Sequence, residues 1–127
     1  ALELDPDHAD AHSNLGVVYY RQERLAEAES ALRAALERAP DDAEFHYNLG
    51  GVLASSERLD EALAEFQRAM ELDPTLAEPY LGAGIAYQRL GRSVEAARTL
   101  ETYLSIADDP EWTATARALL QELEDVP

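Results

Sequence analysis

ALERAP at residues 35–40 and AMELDP at residues 69–74 are one phrase written twice, 34 residues apart, and ALELDP at residues 1–6 is a third copy at the same interval. The interval holds well beyond the phrase. Pro6, Pro40 and Pro74 keep it, as do Gly16, Gly50 and Gly84, and Ala28, Ala62 and Ala96. Longer words recur too: NLG at 14–16 and 48–50, and ERL at 23–25 and 57–59. Self-similarity at a period of this length marks an array of identical small units, each burying its apolar face against the next. On this alignment residues 1–6 are expected to be the end of a repeat whose earlier part is absent, in a chain cut from a longer array.

Within one period the apolar spacing is helical: Leu15, Val18 and Tyr19, then, after a polar break at 22–24, Leu25, Ala28, Ala31, Leu32 and Ala35. Each unit is therefore two helices. Asp41 with Glu44, and Thr75 with Glu78, have capping-box spacing just after a proline that stops the previous helix. Helices are predicted at 8–22, 25–39, 42–56, 59–73, 76–90 and 93–107, with no strands.

A two-helix unit of 34 residues resembles the tetratricopeptide repeat, and the resemblance covers nearly the whole chain. The family pattern is a large ring, Leu-Gly and Tyr on the first helix, then Ala, a large apolar residue, Ala and Pro. The chain matches it with His12, Leu15, Gly16, Tyr19, Ala28, Leu32, Ala35 and Pro40. The second repeat offers His46, Leu49, Gly50, Leu53, Ala62, Phe66, Ala69 and Pro74, and the third Tyr80, Ala83, Gly84, Tyr87, Ala96 and Leu100. The fold implied is an all-α, right-handed α-α superhelix. It comprises repeat 1 over 7–40, repeat 2 over 41–74, repeat 3 over 75–108 and a capping helix over 109–125. The small residues have a physical reason of their own: two helices approach to about 8–10 Å only where side chains are small. Enlarging Gly50 or Ala62 should cost about 1–3 kcal/mol. The family also favours glycine at the turn between helices; Gly91 keeps it, whereas Glu23 and Glu57 replace it and would carry about 1 kcal/mol each if left-handed.

The third repeat breaks its pattern. Tyr103 stands where Ala35 and Ala69 stand, and Asp108 replaces the expected proline. A single helix over 110–124 is predicted to follow, with Asp109 as cap and Pro110 at its first position. Trp112, Ala116, Leu119, Leu120 and Leu123 form its apolar stripe, with Glu111, Thr115, Glu122 and Asp125 outward. Trp112 is expected to pack in the core; anchoring a partner is the alternative.

The formal charge is −16, from 26 acids against 10 bases, and every base is arginine. A phosphate backbone or anionic membrane surface would be repelled, so neither nucleic acid nor membrane is an expected partner. The same acidity fits a salt-adapted proteome, with a GC-rich genome as the plainer explanation. No apolar run approaches the length needed to cross a bilayer; the first residues lack the pattern of a secretory signal, but a start this abrupt fits a missing N-terminus, so the compartment stays open, with the cytoplasm favoured. There is no cysteine.

Chemistry finds little footing. His8 and His12 lie four apart beside Asp5, Asp7 and Asp10, but a helix end enforces no metal geometry, and His12 and His46 are repeat equivalents expected to pack between helices. No phosphate loop and no nucleophile with a base is present. Neither catalysis, a metal nor a cofactor is expected. By resemblance to the family, function lies in a concave groove lined by the first helix of each repeat. Its implied residues are Ser13, Asn14, Val17, Tyr20 and Arg21; Glu44, Tyr47, Asn48 and Gly51; and Glu78, Leu81, Ile85, Gln88 and Arg89. Tyr20, Tyr47, Leu81 and Ile85 would hold apolar side chains of an extended peptide, the asparagines its backbone, and Arg21 and Arg89 its acids. A family subgroup clamps acidic chaperone tails with basic residues and asparagines. Here only Asn48 matches that clamp, with Ser13, Val17, Glu78 and Gly82 at its other positions, and Glu44 and Glu78 would repel a terminal carboxylate. The leading reading is a non-catalytic scaffold for a protein or peptide partner with apolar and basic side chains. The alternatives are self-association through the N-terminal face around Leu15 and Tyr19, and a docking arm of a larger enzyme or regulator.

Overall fold

The computed structural model of the protein describes residues 7–124, the side chain of Asp7 excepted. The expectations for residues 1–6 and for Asp125 lie outside the described residues. The elements are α1 Asp7–Arg21, α2 Leu25–Arg38, α3 Ala43–Ser55, α4 Leu59–Leu72, α5 Glu78–Arg89, α6 Ser93–Ile106 and α7 Pro110–Glu124. No strand occurs among the described residues. α1 packs on α2, α3 on α4 and α5 on α6; α2 then packs on α3, α4 on α5 and α6 on α7. The result is an all-α superhelix of stacked hairpins, each touching only its neighbours.

Small residues set the separation of the helices, as their spacing required. Ala28, Ala62 and Ala96 are each 0% exposed. A methyl group on Gly16 would stand 2.7 Å from Leu32, one on Gly50 2.6 Å from Phe66, and one on Gly84 2.7 Å from Leu100. A methyl on Gly82, in the following hairpin, would stand 2.7 Å from the same Phe66 ring. Phe66 is therefore seated between two bare backbones, and Tyr47 tilts against it with ring centroids 5.9 Å apart.

The turns inside the three hairpins are copies of one another. Arg24 N–H donates to the Tyr19 carbonyl at 2.9 Å, Arg58 to Leu53 at 2.9 Å and Arg92 to Tyr87 at 2.9 Å, closing each helix with a Schellman-type bond. That closure puts one residue in the left-handed region: Glu23 at φ 62°, Glu57 at φ 64° and Gly91 at φ 77°. The two glutamates do carry the strain that their place in the repeat implied. A device not foreseen from the sequence braces each turn: Arg24 pairs with Glu27, Arg58 with Glu61 and Arg92 with Glu95. Arg24 and Arg92 also lie over the Tyr19 and Tyr87 rings, at 4.7 and 4.9 Å. Arg58 reaches Glu29 as well, at 2.7 Å, tying the start of α4 to α2. Partial burial works to raise the Glu29 carboxyl, but hydrogen bonds from Arg33 and Arg58 hold it below the usual carboxylate range.

Three expectations need correction. Asp42, not Asp41, caps α3, accepting from Phe45 N–H at 3.1 Å. Thr75 caps nothing: its N–H and hydroxyl both donate to Asp73 Oδ1, and α5 begins only at Glu78. Pro79 falls in the first turn of α5, where its missing N–H leaves no helical bond unmade. Trp112 is 48% exposed rather than in the core. The rest of its stripe packs as expected, with Ala116 buried and Leu119, Leu120 and Leu123 half-buried, while Thr113 takes the buried place beside Trp112 at the start of the helix. His46 also does more than fill space, with Nδ1 2.7 Å from Glu65 Oε1 and Nε2 2.8 Å from the Pro40 carbonyl.

The left-handed turns give a direct test by urea denaturation. Glu23→Gly should raise the unfolding free energy by up to about 1 kcal/mol, and Gly91→Ala should lower it by about 1 kcal/mol. Shifts of the opposite sign would contradict the strain assigned to Glu23.

Candidate functional site

α1 touches α3 and α3 touches α5, so the first helices of the hairpins stand side by side along one face. Two adjoining cavities run along it. The first, about 230 Å³, is lined by Val17, Tyr20, Arg21, Tyr47, Asn48 and Gly51, with Gly16, Leu32 and Val52 beneath. The second, about 350 Å³, shares Tyr20 and Tyr47 and adds Glu78, Leu81, Gly82, Ile85, Tyr103 and Trp112. Tyr20 and Tyr47 form the shared wall. The Tyr20 hydroxyl lies 3.1 Å from Ser55 Oγ, and this contact fixes its ring across two hairpins. Gly51 leaves the floor open: a methyl group there would meet nothing within 4 Å, whereas one on neighbouring Gly50 would strike Phe66.

Nine of the fourteen residues expected at a groove line these two cavities: Val17, Tyr20, Arg21, Tyr47, Asn48, Gly51, Glu78, Leu81 and Ile85. The others lie elsewhere. Ser13 is 4% exposed and accepts a hydrogen bond from Asn48 at 3.4 Å, so it acts as a brace behind the wall. Asn14 is exposed and lines neither cavity. Glu44 lines a separate acidic cleft with Asp41, Asp42 and Asp73. Gln88 is half-buried outside both cavities. Arg89, expected to meet a partner's acid, is already held by Glu57 at 2.5 Å. Arg21 makes no ion pair among the described residues and is the groove's available cation.

Sequence reasoning missed Gly82 and Tyr103 as groove residues and put Trp112 in the core. Tyr103 did carry a signal, as a ring where two repeats hold alanine. Burial pushes the Tyr47 phenol up, with Glu78 adding to it; burial likewise pushes Tyr103 up, helped by Asp109, Glu78 and Asp108. Both rings therefore offer neutral hydroxyl groups at neutral pH. Among the described residues no three His, Asp or Glu side chains gather to hold a metal ion, and no helix is long and apolar enough to cross a membrane.

Stacked helical hairpins with a ligand-sized groove along the first helices define a helical-repeat protein of the solenoid class. One family model described as tetratricopeptide repeat matches residues 1–42 and again 24–77, and a second of the same description matches 53–123. The chain belongs to the tetratricopeptide repeat family. Among curated proteins no sequence match was found. Solved structures with the same fold include the Arabidopsis OM64 TPR domain, with a TM-score of 0.88, 19% identity, and coverage of 94% of this chain and 96% of that one. Another is the first TPR of Spaghetti (RPAP3) bound to the HSP90 peptide SRMEEVD, with a TM-score of 0.87, 18% identity, and coverage of 98% and 96%. A third is the Yersinia enterocolitica type III secretion chaperone SycD in complex with a peptide of the translocator YopD, with a TM-score of 0.89, 18% identity, and 96% coverage of each chain.

The raised Tyr47 phenol makes stability depend on alkaline pH. Its folded value exceeds the unfolded one of about 10, so stability is full below that pH and is lost as pH rises through the folded value. Between about pH 9 and about pH 11 the wild-type chain should lose more unfolding free energy than Tyr47→Phe. Equal losses would contradict the environment described for Tyr47.

Proposed function

We propose that this protein is a non-catalytic interaction scaffold that holds an extended segment of a partner protein in the groove from Val17 to Trp112. The observation that carries the reading is the pair of adjoining cavities walled by Tyr20 and Tyr47 and opened at Gly51. Rigid rings with a polar tip give large contact area at small entropic cost, and an open glycine floor leaves room for a side chain. Two structures of the same fold carry peptides, which supports a peptide partner here. The chemistry favours a different sequence from an acidic tail, because Glu78 stands in the groove and the whole chain carries −16. Apolar residues flanked by basic ones match the tyrosines, Leu81 and Ile85 and the surrounding acids. The exposure of Leu15 at 44% and Val18 at 48% favours a second reading, self-stacking through α1. The equivalents of these two residues, Leu49 and Val52, are buried at 0% and 1%.

The test uses synthetic nonapeptides combining aromatic or aliphatic residues with arginine, read by calorimetry and by NMR shift mapping. Shifts should fall on Val17, Tyr47, Leu81 and Ile85. Gly51→Leu should fold as the wild type does yet bind at least about tenfold more weakly. Shifts confined to the convex face, or unchanged binding by Gly51→Leu, would refute the groove.

A further inference from the structure

Where α6 gives way to α7, the groove ends in a corner whose parts the fold alone leaves unused. Tyr103 replaces the alanine that the earlier repeats place at this position, and its ring is only 3% exposed. Its hydroxyl makes no hydrogen bond among the described residues, yet Tyr103 lines both the groove cavity and a neighbouring one of about 400 Å³. A phenol oxygen that no protein group occupies, beside a cavity, is available to accept a hydrogen bond from an occupant. Trp112 is 48% exposed and lines both cavities, so about half of its surface is open to an occupant. Glu78 and Asp108 line the second cavity, and neither pairs with any arginine among the described residues. Asp109, beside them, is occupied by the amides of Glu111 and Trp112 as the cap of α7.

An exposed indole, two carboxylates without an arginine partner and a phenol oxygen without a protein partner converge on one type of occupant. We propose that this corner binds an arginine side chain of the partner segment, its guanidinium stacked on Trp112 and neutralised by Glu78 and Asp108, with the Tyr103 oxygen accepting one of its N–H groups. A guanidinium fits better than an ammonium because its plane stacks on an indole while its edges present several donors at once. No anion fits a pocket with this charge. The proposal rests on the groove reading, since the corner is that groove's C-terminal end, and it sets the direction of the bound segment: arginine at Trp112, apolar residues toward Tyr20.

The chain's one tryptophan makes the test direct, because intrinsic fluorescence reports on Trp112 alone. The probes are N-acetyl-arginine amide and the matched neutral N-acetyl-citrulline amide. The arginine compound should change the emission saturably and bind about tenfold more tightly than citrulline. Glu78→Gln, on an exposed side chain, should weaken arginine binding at least about threefold. Tyr103→Phe should also weaken it while leaving the melting temperature unchanged or raised, which a merely structural hydroxyl would not do. Equal binding of the two compounds, or arginine binding indifferent to Glu78→Gln, would overturn the proposal. If the nonapeptides bind in the groove but arginine holds no advantage over citrulline, this inference alone falls. If arginine binds at Trp112 while the nonapeptides leave the groove untouched, the groove reading falls and the corner stands.

Discussion

One ring in two slots holds the array in register. Phe66 is 2% exposed and lies against the bare backbone of Gly50 in its own hairpin and of Gly82 in the next. Close approach on both sides fixes α4 against α3 and α5 together. The tyrosine wall and the floor of the groove inherit their spacing from that contact, because Tyr47 rests on Phe66 and Gly82 lines the cavity beside it. The same spacing recurs along the chain: the large core residue of each second helix meets the glycine sixteen positions before it, and has a further residue of the next hairpin or helix sixteen positions after it. Leu32 has Gly16 and Asn48, Phe66 has Gly50 and Gly82, and Leu100 has Gly84 and Ala116. Where the knob is largest, both sockets are glycine. Through Ala116, which is 0% exposed and clusters with Leu100, the capping helix continues the pattern after the repeat itself has ended.

Against a net charge of −16, the arginines act mainly inside the molecule. Each hairpin turn spends one on a glutamate three residues ahead, and Arg58 and Arg89 extend the ties to Glu29 and Glu57 in a neighbouring hairpin. Pairs this exposed contribute little individually, but they place the surplus of carboxylates outward and leave few cations for a partner. Glu57 shows the coupling of strain to contact: the left-handed turn that a glutamate tolerates poorly also aims it at Arg89.

The sequence revealed whatever repeats. Helix number, the edges of most helices, the left-handed sites and the small residues at contacts all follow from a period and from local sterics. What it hid depends on partners far along the chain. Arg89 looked free because Glu57 is 32 residues away, and Ser13 looked open because Asn48 is 35 away. The start of α5 was placed too early because Thr75 and Glu78 have capping-box spacing, whereas Thr75 bonds back to Asp73. Trp112 was read from spacing on one helix; Ala116, Leu119, Leu120 and Leu123 pack as that spacing implied, but Thr113 takes the buried place at the start of the stripe and leaves the indole at the groove. Of the groove itself, the residues contributed by periodic positions were legible, and those contributed by the break in the period were not.

The most direct measurement of the two-slot contact is a double-mutant cycle on unfolding free energy with Gly82→Ala and Phe66→Leu. With Phe66 in place, Gly82→Ala is expected to cost about 1–3 kcal/mol, because the ring has no room to yield. In the Phe66→Leu background the same change should become neutral or stabilise by up to about 1 kcal/mol, the ordinary helical preference for alanine over glycine. An identical cost in both backgrounds would show that Gly82 is not a socket for Phe66 and would contradict the account.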